Sequence, residues 1–442
     1  MITAIIVGAG HRALGYAKLA EVCPDKLKIV GVADPLPDRR KYCRELFGFG
    51  EDMCFETAEE LARRGKLADA VINGTMDADH IATTVPLLEA GYDVLLEKPF
   101  AINMQELEEL HAVAEKTQRK VMICHVLRYA PFYAMIKQQL LAGAIGKVMH
   151  IHTAEHVSYH HFSSCYVRGK WNNTNTCGTS VLLAKCCHDI DLITWFMSGV
   201  EPVAVDSMGG LYFFNKENAP AGSGTHCMLD CPLEKSCDFS VRRLHLEHPI
   251  FWNAYVWPKH AYDKKLNTHE QRLKEIMEKD FPHSRCVWKC DNNQVDRQSV
   301  IIEFADGTVA THNMTTNTAR PLRKIHIIGT EGEIEGVFDE NKFVVRHREL
   351  NPEKAHCDYT EEVIDIGTFG DTTGALGDHG GGDLRLAQDF VDYVEGNSTS
   401  ISCTTLNDSL VGHKLVFAAD TAMVQKSRIM FNEFTAEKEK RY

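Results

Sequence analysis

Two short stretches carry residues suited to proton transfer. Glu97-Lys98-Pro99 closes the apolar run Asp93–Leu96. A lysine at the carboxyl end of a strand could polarise or deprotonate a substrate hydroxyl, and Glu97 could hold its ammonium or a ribose. Pro99 fixes the turn, and X-Pro bonds are the ones that adopt cis. Taken alone, the tripeptide also reads as a surface ion pair at a strand end. The second stretch is "VLLAKCCHDIDLITWF". On a continuous helix over Ser180–Met197, Lys185, His188 and Asp191 share one face at three-residue steps. His188 titrates nearest neutrality, which suits a general acid or base for a secondary alcohol. An amphipathic surface helix with incidental charges is the bland alternative.

Such groups need a scaffold and a second reactant, and the amino-terminal sequence offers both. "MITAIIVGAG" is an apolar strand running into Gly8 and Gly10, with Ala13 at a third small position. The physics of a dinucleotide turn asks for this pattern: a tight bend, bare backbone near a pyrophosphate, and close helix–strand packing. His11 and Arg12 follow, and Arg12 could add a counter-charge. Asp34 ends the second strand, 24 residues beyond Gly10, where an acid accepts ribose hydroxyls and repels a 2′-phosphate. Arg39 could stack on adenine or meet a 2′-phosphate, so NAD is favoured and NADP stays open. Thr75, His80, Glu97, Lys98 and His125 complete the cofactor candidates. Short apolar strands alternate with helical stretches to about residue 126, the pattern of a buried parallel sheet. Beyond it, "SVIIEFADGTVATHNM" and "RKIHIIGTEGEIEGVF" read as hairpins turning at Asp306-Gly307 and Glu331-Gly332. The expected class is α/β. A Rossmann domain over 1–126 precedes an α+β substrate and oligomerisation domain over 127–442, with a large, mostly antiparallel open sheet. An irregular, cysteine-rich insertion occupies about 216–297.

Composition bounds the function. The chain has 442 residues, 44% hydrophobic and 25% charged, enough for two or three packed domains. A net charge of −13 disfavours nucleic acid, which needs a basic face. No apolar run is long enough to span a bilayer, and no export signal is visible, so a cytoplasmic protein with reduced thiols is expected.

Together the pieces "VGAGHRA", "GVADP", "GYDVLLEKPFA", "RYAPFY" and "HDIDLITWF" resemble the Gfo/Idh/MocA family of nicotinamide-dependent oxidoreductases, in order and spacing over residues 1–200. "GTEGEIEG" and "HGGGD" extend the likeness toward the carboxyl end. The resemblance implies a two-domain enzyme with the cofactor at the sheet crevice. It also implies a small carbohydrate, cyclitol or polyol substrate, and a homodimer or homotetramer built through the second sheet. Lys98 would be the lysine of the family's EKP motif and His188 its catalytic histidine. Two departures stand out. Many members carry a carboxylate four residues before the histidine, where this chain has Ala184; Lys185, next to it, could take over as substrate ligand or proton relay. His125 stands where the family often has Asn.

Arg128, Tyr129, Trp171, Asp191 and His379 join Lys98, Lys185 and His188 as substrate candidates. Trp171 could stack on a sugar ring or lie in the core, and His379 could enter the site or sit in a turn. Cys227, Cys231, Cys237, Cys286 and Cys290 could supply four ligands for a structural zinc, or be idle thiols. Three functions fit. The first is an NAD-dependent dehydrogenase acting on a ring hydroxyl of a sugar, cyclitol or glycoside. The second is a redox-neutral enzyme that cleaves a glycosidic bond through a transient keto-sugar on tightly bound NAD. The third is a non-catalytic NAD-binding sensor.

Overall fold

The computed structural model describes residues 1–248, 255–261, 268–354, 358–367 and 379–439. Its first sheet contains β1 (Ile2–Val7), β2 (Leu27–Ala33), β3 (Cys54–Phe55), β4 (Ala70–Asn73), β5 (Asp93–Leu96) and β6 (Val121–Ile123). Their order is β3-β2-β1-β4-β5-β6, and every pairing is parallel. Strands of this sheet are buried on both faces, which is why β4 and β5 read as near-continuous apolar runs, broken only by Asn73 and Asp93 at their ends. The order reverses between β1 and β4. A crevice opens there at the carboxyl ends, the place where doubly wound sheets bind ligands.

The second sheet contains β7 (Val148–Ser158), β8 (Pro202–Gly210), β9 (Arg297–Phe304), β10 (Val309–Thr318), β11 (Leu322–Gly329), β12 (Gly332–Val337), β13 (Lys342–Arg348), β14 (Tyr359–Asp365) and β15 (Ile429–Met430). Among the described residues its order is β14-β13-β12-β11-β7-β10-β9-β8-β15, antiparallel except for β7 against β10. Both expected hairpins form, β9–β10 and β11–β12. The sequence pattern did not extend to β13 and β14.

Two departures from the sequence reading matter for the site. The expected helix over Ser180–Met197 is broken. Val181–Ala184 and Cys187–Phe196 are separate helices, because Lys185 (φ −116°) and Cys186 (ψ 2°) leave helical geometry. The second is the path of the carboxyl-terminal chain, which returns to the first sheet. Helix Gly382–Glu395 packs Leu386, Ala387, Phe390 and Val391 against Ala13, Tyr16 and Ala17. Full burial of Leu386 and Phe390 is worth about 1.5–3 kcal/mol each. Beyond it, Thr404 O accepts the Ile123 N–H at 2.8 Å. The core of the amino-terminal sheet is thus finished by residues near 390 and 404.

Candidate active site

A cleft of about 440 Å³ runs from the carboxyl ends of the first sheet to the helical side of the second. Gly8, Gly10, His11, Arg12, Asp34, Arg39, Thr75, Glu97 and Lys98 line the first end; Trp171, Lys185, His188 and His379 line the other.

The turn after β1 fits a dinucleotide. Gly8 has φ +73°, and a Cβ there would lie 2.7 Å from Thr75 N, so no other residue fits without displacing backbone. A Cβ on Gly10 would meet only Gly74 O, at 3.8 Å, leaving open backbone beside the cleft. Asp34 is 1% exposed and turns its carboxylate into the turn, accepting the Ala9 N–H at 2.8 Å and the Leu36 N–H at 2.9 Å. Arg39 pairs with Asp34 at 3.3 Å. Arg12 is not a free counter-charge for phosphate. Its guanidinium forks onto Asp383 at 2.9 and 3.0 Å, contacts Glu97 at 3.1 Å, and donates to Tyr16 Oη. Burial opposes ionisation of Asp383, but Arg12 and His379 outweigh it and hold the carboxyl well below its usual range. Arg12 therefore clamps the returning helix to the EKP turn.

Further along the cleft, Lys98 follows β5 and precedes a cis peptide to Pro99. Its Nζ donates to Ala184 O at 2.8 Å. The backbone carbonyl of the residue that lacks a carboxylate thus holds the lysine. His188 is 4% exposed, and its Nδ1 is buried without a hydrogen-bond partner. Burial, with Lys98, His125 and His379 nearby, pushes its pKa well below 6.5 and keeps the imidazole neutral. His379 Nδ1 lies 3.0 Å from Asp383 Oδ1, and its ring is 6.2 Å from that of His188. The helix break turns Lys185 toward β7, where Nζ lies 3.4 Å from Glu155 Oε1. Trp171 donates Nε1–H to Asp77 at 2.8 Å and lies under Lys170, 4.2 Å from its ring centre.

Five expected site residues, His80, His125, Arg128, Tyr129 and Asp191, do not line the cleft but pack behind its wall. His80 donates Nδ1–H to Pro99 O at 2.7 Å, behind the EKP turn. Arg128 grips Asp191, with Nε 2.7 Å from Oδ2, and His125 Nδ1 lies 2.9 Å from the same carboxylate. Burial works against Asp191, yet Arg128 and His125 hold its pKa at about 2. Tyr129 donates to Asp389 at 2.9 Å. These groups build the wall behind His188. Asp191 falls away from Lys185 because the three-residue row needed an unbroken helix.

The cleft also contains residues the sequence reading passed over: Tyr16, Asp77, His161, Tyr166, Lys170 and Arg323. Arg323, from β11, meets Glu155 at 2.6 Å and Asp189 at 3.3 Å. Nothing in a strand reading "LRKIHIIG" marks its arginine as a site residue.

The zinc expectation is not supported. Among the described residues, one trio of His, Cys, Asp or Glu ligand atoms lies within 4.8 Å of one another: Cys186, Asp189 and His312. None belongs to the five cysteines. A tetrahedral zinc holds its thiolates about 3.8 Å apart.

A doubly wound sheet, a glycine turn that meets a buried acid, and a lysine and histidine in the same cleft define a dinucleotide-binding oxidoreductase class. Residues 2–125 match the family model described as oxidoreductase family, NAD-binding Rossmann fold, and residues 137–429 match that family's C-terminal alpha/beta domain. The chain belongs to the Gfo/Idh/MocA oxidoreductase family. Among curated relatives, it is 24% identical over 380 residues to putative oxidoreductase YteT of Bacillus subtilis, covering 82% of each chain. To scyllo-inositol 2-dehydrogenase (NAD(+)) of the same organism it is 32% identical over 145 residues, 32% of this chain and 41% of that protein. Solved structures share the fold. An oxidoreductase from Agrobacterium radiobacter in complex with NAD+, L-tartaric acid and magnesium superposes with a TM-score of 0.67 at 14% identity, covering 98% of this chain and 99% of that one. Myo-inositol 2-dehydrogenase from Lactobacillus plantarum gives 0.64 at 16% identity, covering 97% and 99%. No helix among the described residues is long and apolar enough to cross a membrane.

Proposed function

We propose that this protein is an NAD-dependent dehydrogenase that oxidises a ring hydroxyl of a sugar, cyclitol or glycoside. One observation carries the reading: Lys98 and His188 share a single cleft with the glycine turn and Asp34. The inositol dehydrogenases among its relatives support the polyol class. NAD, when bound, supplies the acceptor for the hydrogen leaving carbon with its electron pair. Gly8 and Gly10 let the backbone approach the pyrophosphate, and Asp34 takes the ribose hydroxyls. Neutral His188 accepts the proton of the reacting hydroxyl. Lys98 donates to that oxygen as negative charge develops on it. Lys185, Lys170 and Arg323 present donors to neighbouring hydroxyls, while the acids that balance Lys185 and Arg323, Glu155 and Asp189, lie buried behind them.

The test is a panel of cyclitols, sugars, sugar acids and glycosides, followed by absorbance of reduced nicotinamide. Net reduction with at least one ring polyol is expected. Product released from a glycoside without net reduction would favour the redox-neutral reading, and NAD binding without turnover of any compound would favour the sensor.

Asp34→Ala should raise the KM for NAD at least tenfold, about 1.4 kcal/mol or more, and narrow the preference over NADP. Unchanged KM values for both cofactors would remove Asp34 from the ribose site.

A further inference from the structure

A second cavity, of about 360 Å³, lies in the cysteine-rich segment and shares no lining residue with the cleft. Cys227, Cys231, Cys237 and Cys286 all line it, while Cys290 turns away and donates its thiol to Cys286 O. Much of the remaining wall is apolar, from Phe213, Leu233, Phe239 and Trp288. Two of the sulfurs accept backbone N–H groups from two residues further on: Cys237 from Phe239 and Cys286 from Trp288.

Arg168 closes the cavity. It is 1% exposed, and no carboxylate lies within ion-pair distance of it among the described residues. Nη2 donates to Cys227 Sγ at 3.3 Å and to Phe239 O at 2.8 Å, and Nε donates to Arg285 O at 2.7 Å. Nη1 is buried with no partner. Glu234 lines the same cavity but is taken by Ser240 and Arg242. A buried guanidinium without an anion is costly. An anionic group held beside Arg168 would offset that cost, and the thiols are too widely spaced to share a single metal ion, since no three of them lie within 4.8 Å of one another.

We propose that Cys227, Cys231, Cys237 and Cys286 hold a four-iron, four-sulfide cluster in this cavity. A cuboidal cluster spreads its four thiolates about 6 Å apart, carries net negative charge in its thiolate-ligated form, and is tuned by N–H···S bonds and an apolar shell. The cavity offers the N–H···S bonds, a largely apolar wall, a buried guanidinium without a carboxylate, and thiols no three of which lie within 4.8 Å of one another. Arg168 supplies the counter-charge. The cluster staples a segment with little regular core of its own, and Arg168 connects through Gly169 to Lys170 and Trp171 on the cleft wall. Its role is to fix that wall, with no electron transfer to substrate.

The test is metal and acid-labile sulfide analysis of the full chain, purified without oxygen or chelator and then reconstituted with ferrous iron and sulfide. About four irons and four sulfides per chain are expected, with the broad visible absorption of sulfide-to-iron charge transfer. Cys237→Ser should bring iron to near zero, while Cys290→Ser should keep it. Because Cys237→Ser could fail to fold, the composition of the unaltered chain decides. One zinc per chain without iron, or a folded, iron-free chain after reconstitution, overturns the proposal.

Discussion

Lys98→Met is expected to lower kcat/KM by about three orders of magnitude, with NAD binding retained. The side chain is nearly the same length, so the lost element is a cationic donor beside the reacting oxygen. In the resting site Nζ is held by a carbonyl, Ala184 O at 2.8 Å, and can turn from it to an oxygen that gains negative charge. That interaction strengthens toward the transition state, so the loss falls on kcat and kcat/KM more than on KM. His188→Asn should cost a similar factor, and the double variant little more than either, because lysine and histidine act on one proton. Burial lowers the His188 pKa and leaves the imbalance clear: the imidazole is a base ready to accept, and its protonation limits the rate only well below pH 6.5. Steady-state kinetics of the three variants, with cofactor binding followed by nicotinamide fluorescence, check this. Near-normal turnover in Lys98→Met would remove it from the chemistry.

The parts of the site that could be read from sequence are those where one residue type is forced locally. Only glycine fits at Gly8, and a strand's carboxyl end delivers Asp34 or Lys98 to the crevice whatever lies further along the chain. Parallel strands buried on both faces advertise themselves as apolar runs. What could not be read depends on distant partners. Lys185 leaves its helix and reaches Glu155 on β7, so the row of three residues with Asp191 dissolves. Arg12 looked like a phosphate ligand until Asp383, 371 residues away, was placed against it. Arg323 comes from a hairpin that carries no site signal. Four cysteines gather around one cavity because Cys286 returns beside Cys227, with Cys227 N donating to Ser284 O at 2.8 Å. Spacing within 227–237 could not show how far apart the sulfurs lie, and that separation is what decides between one ion and a cluster.

Acid is expected to unfold the protein well above the pH at which its carboxylates protonate. His161, His188, His245, His283, His312 and His413 are buried, His11 is partly buried in the cleft wall, and all seven are held neutral. Burial pushes His11, His283 and His413 down to about 3 and His312 to about 4. In the unfolded chain each titrates near 6.5. Between the two values the unfolded state binds more protons, so stability rises with pH. It is complete above about 6.5 and drains away as pH falls below it. Each such histidine contributes a slope of up to about 1.4 kcal/mol per pH unit. Seven acting together remove on the order of 7–10 kcal/mol in the first unit below 6.5, as much as the whole stability of an ordinary domain. The carboxylates held low by arginine, Asp191 and Asp383, fail only at far lower pH and add nothing in this window. Far-UV circular dichroism and tryptophan fluorescence should therefore show cooperative unfolding between about pH 6 and 5, with Tm falling steeply across the same range. Replacing His413, whose Nε2–H donates to Ala101 O at 2.8 Å and whose Nδ1 is buried without a partner, with Gln should shift that midpoint to lower pH even if it costs stability at pH 8. A Tm that stays level from pH 7 to 4.5 would show that these histidines are hydrated or charged in the folded protein.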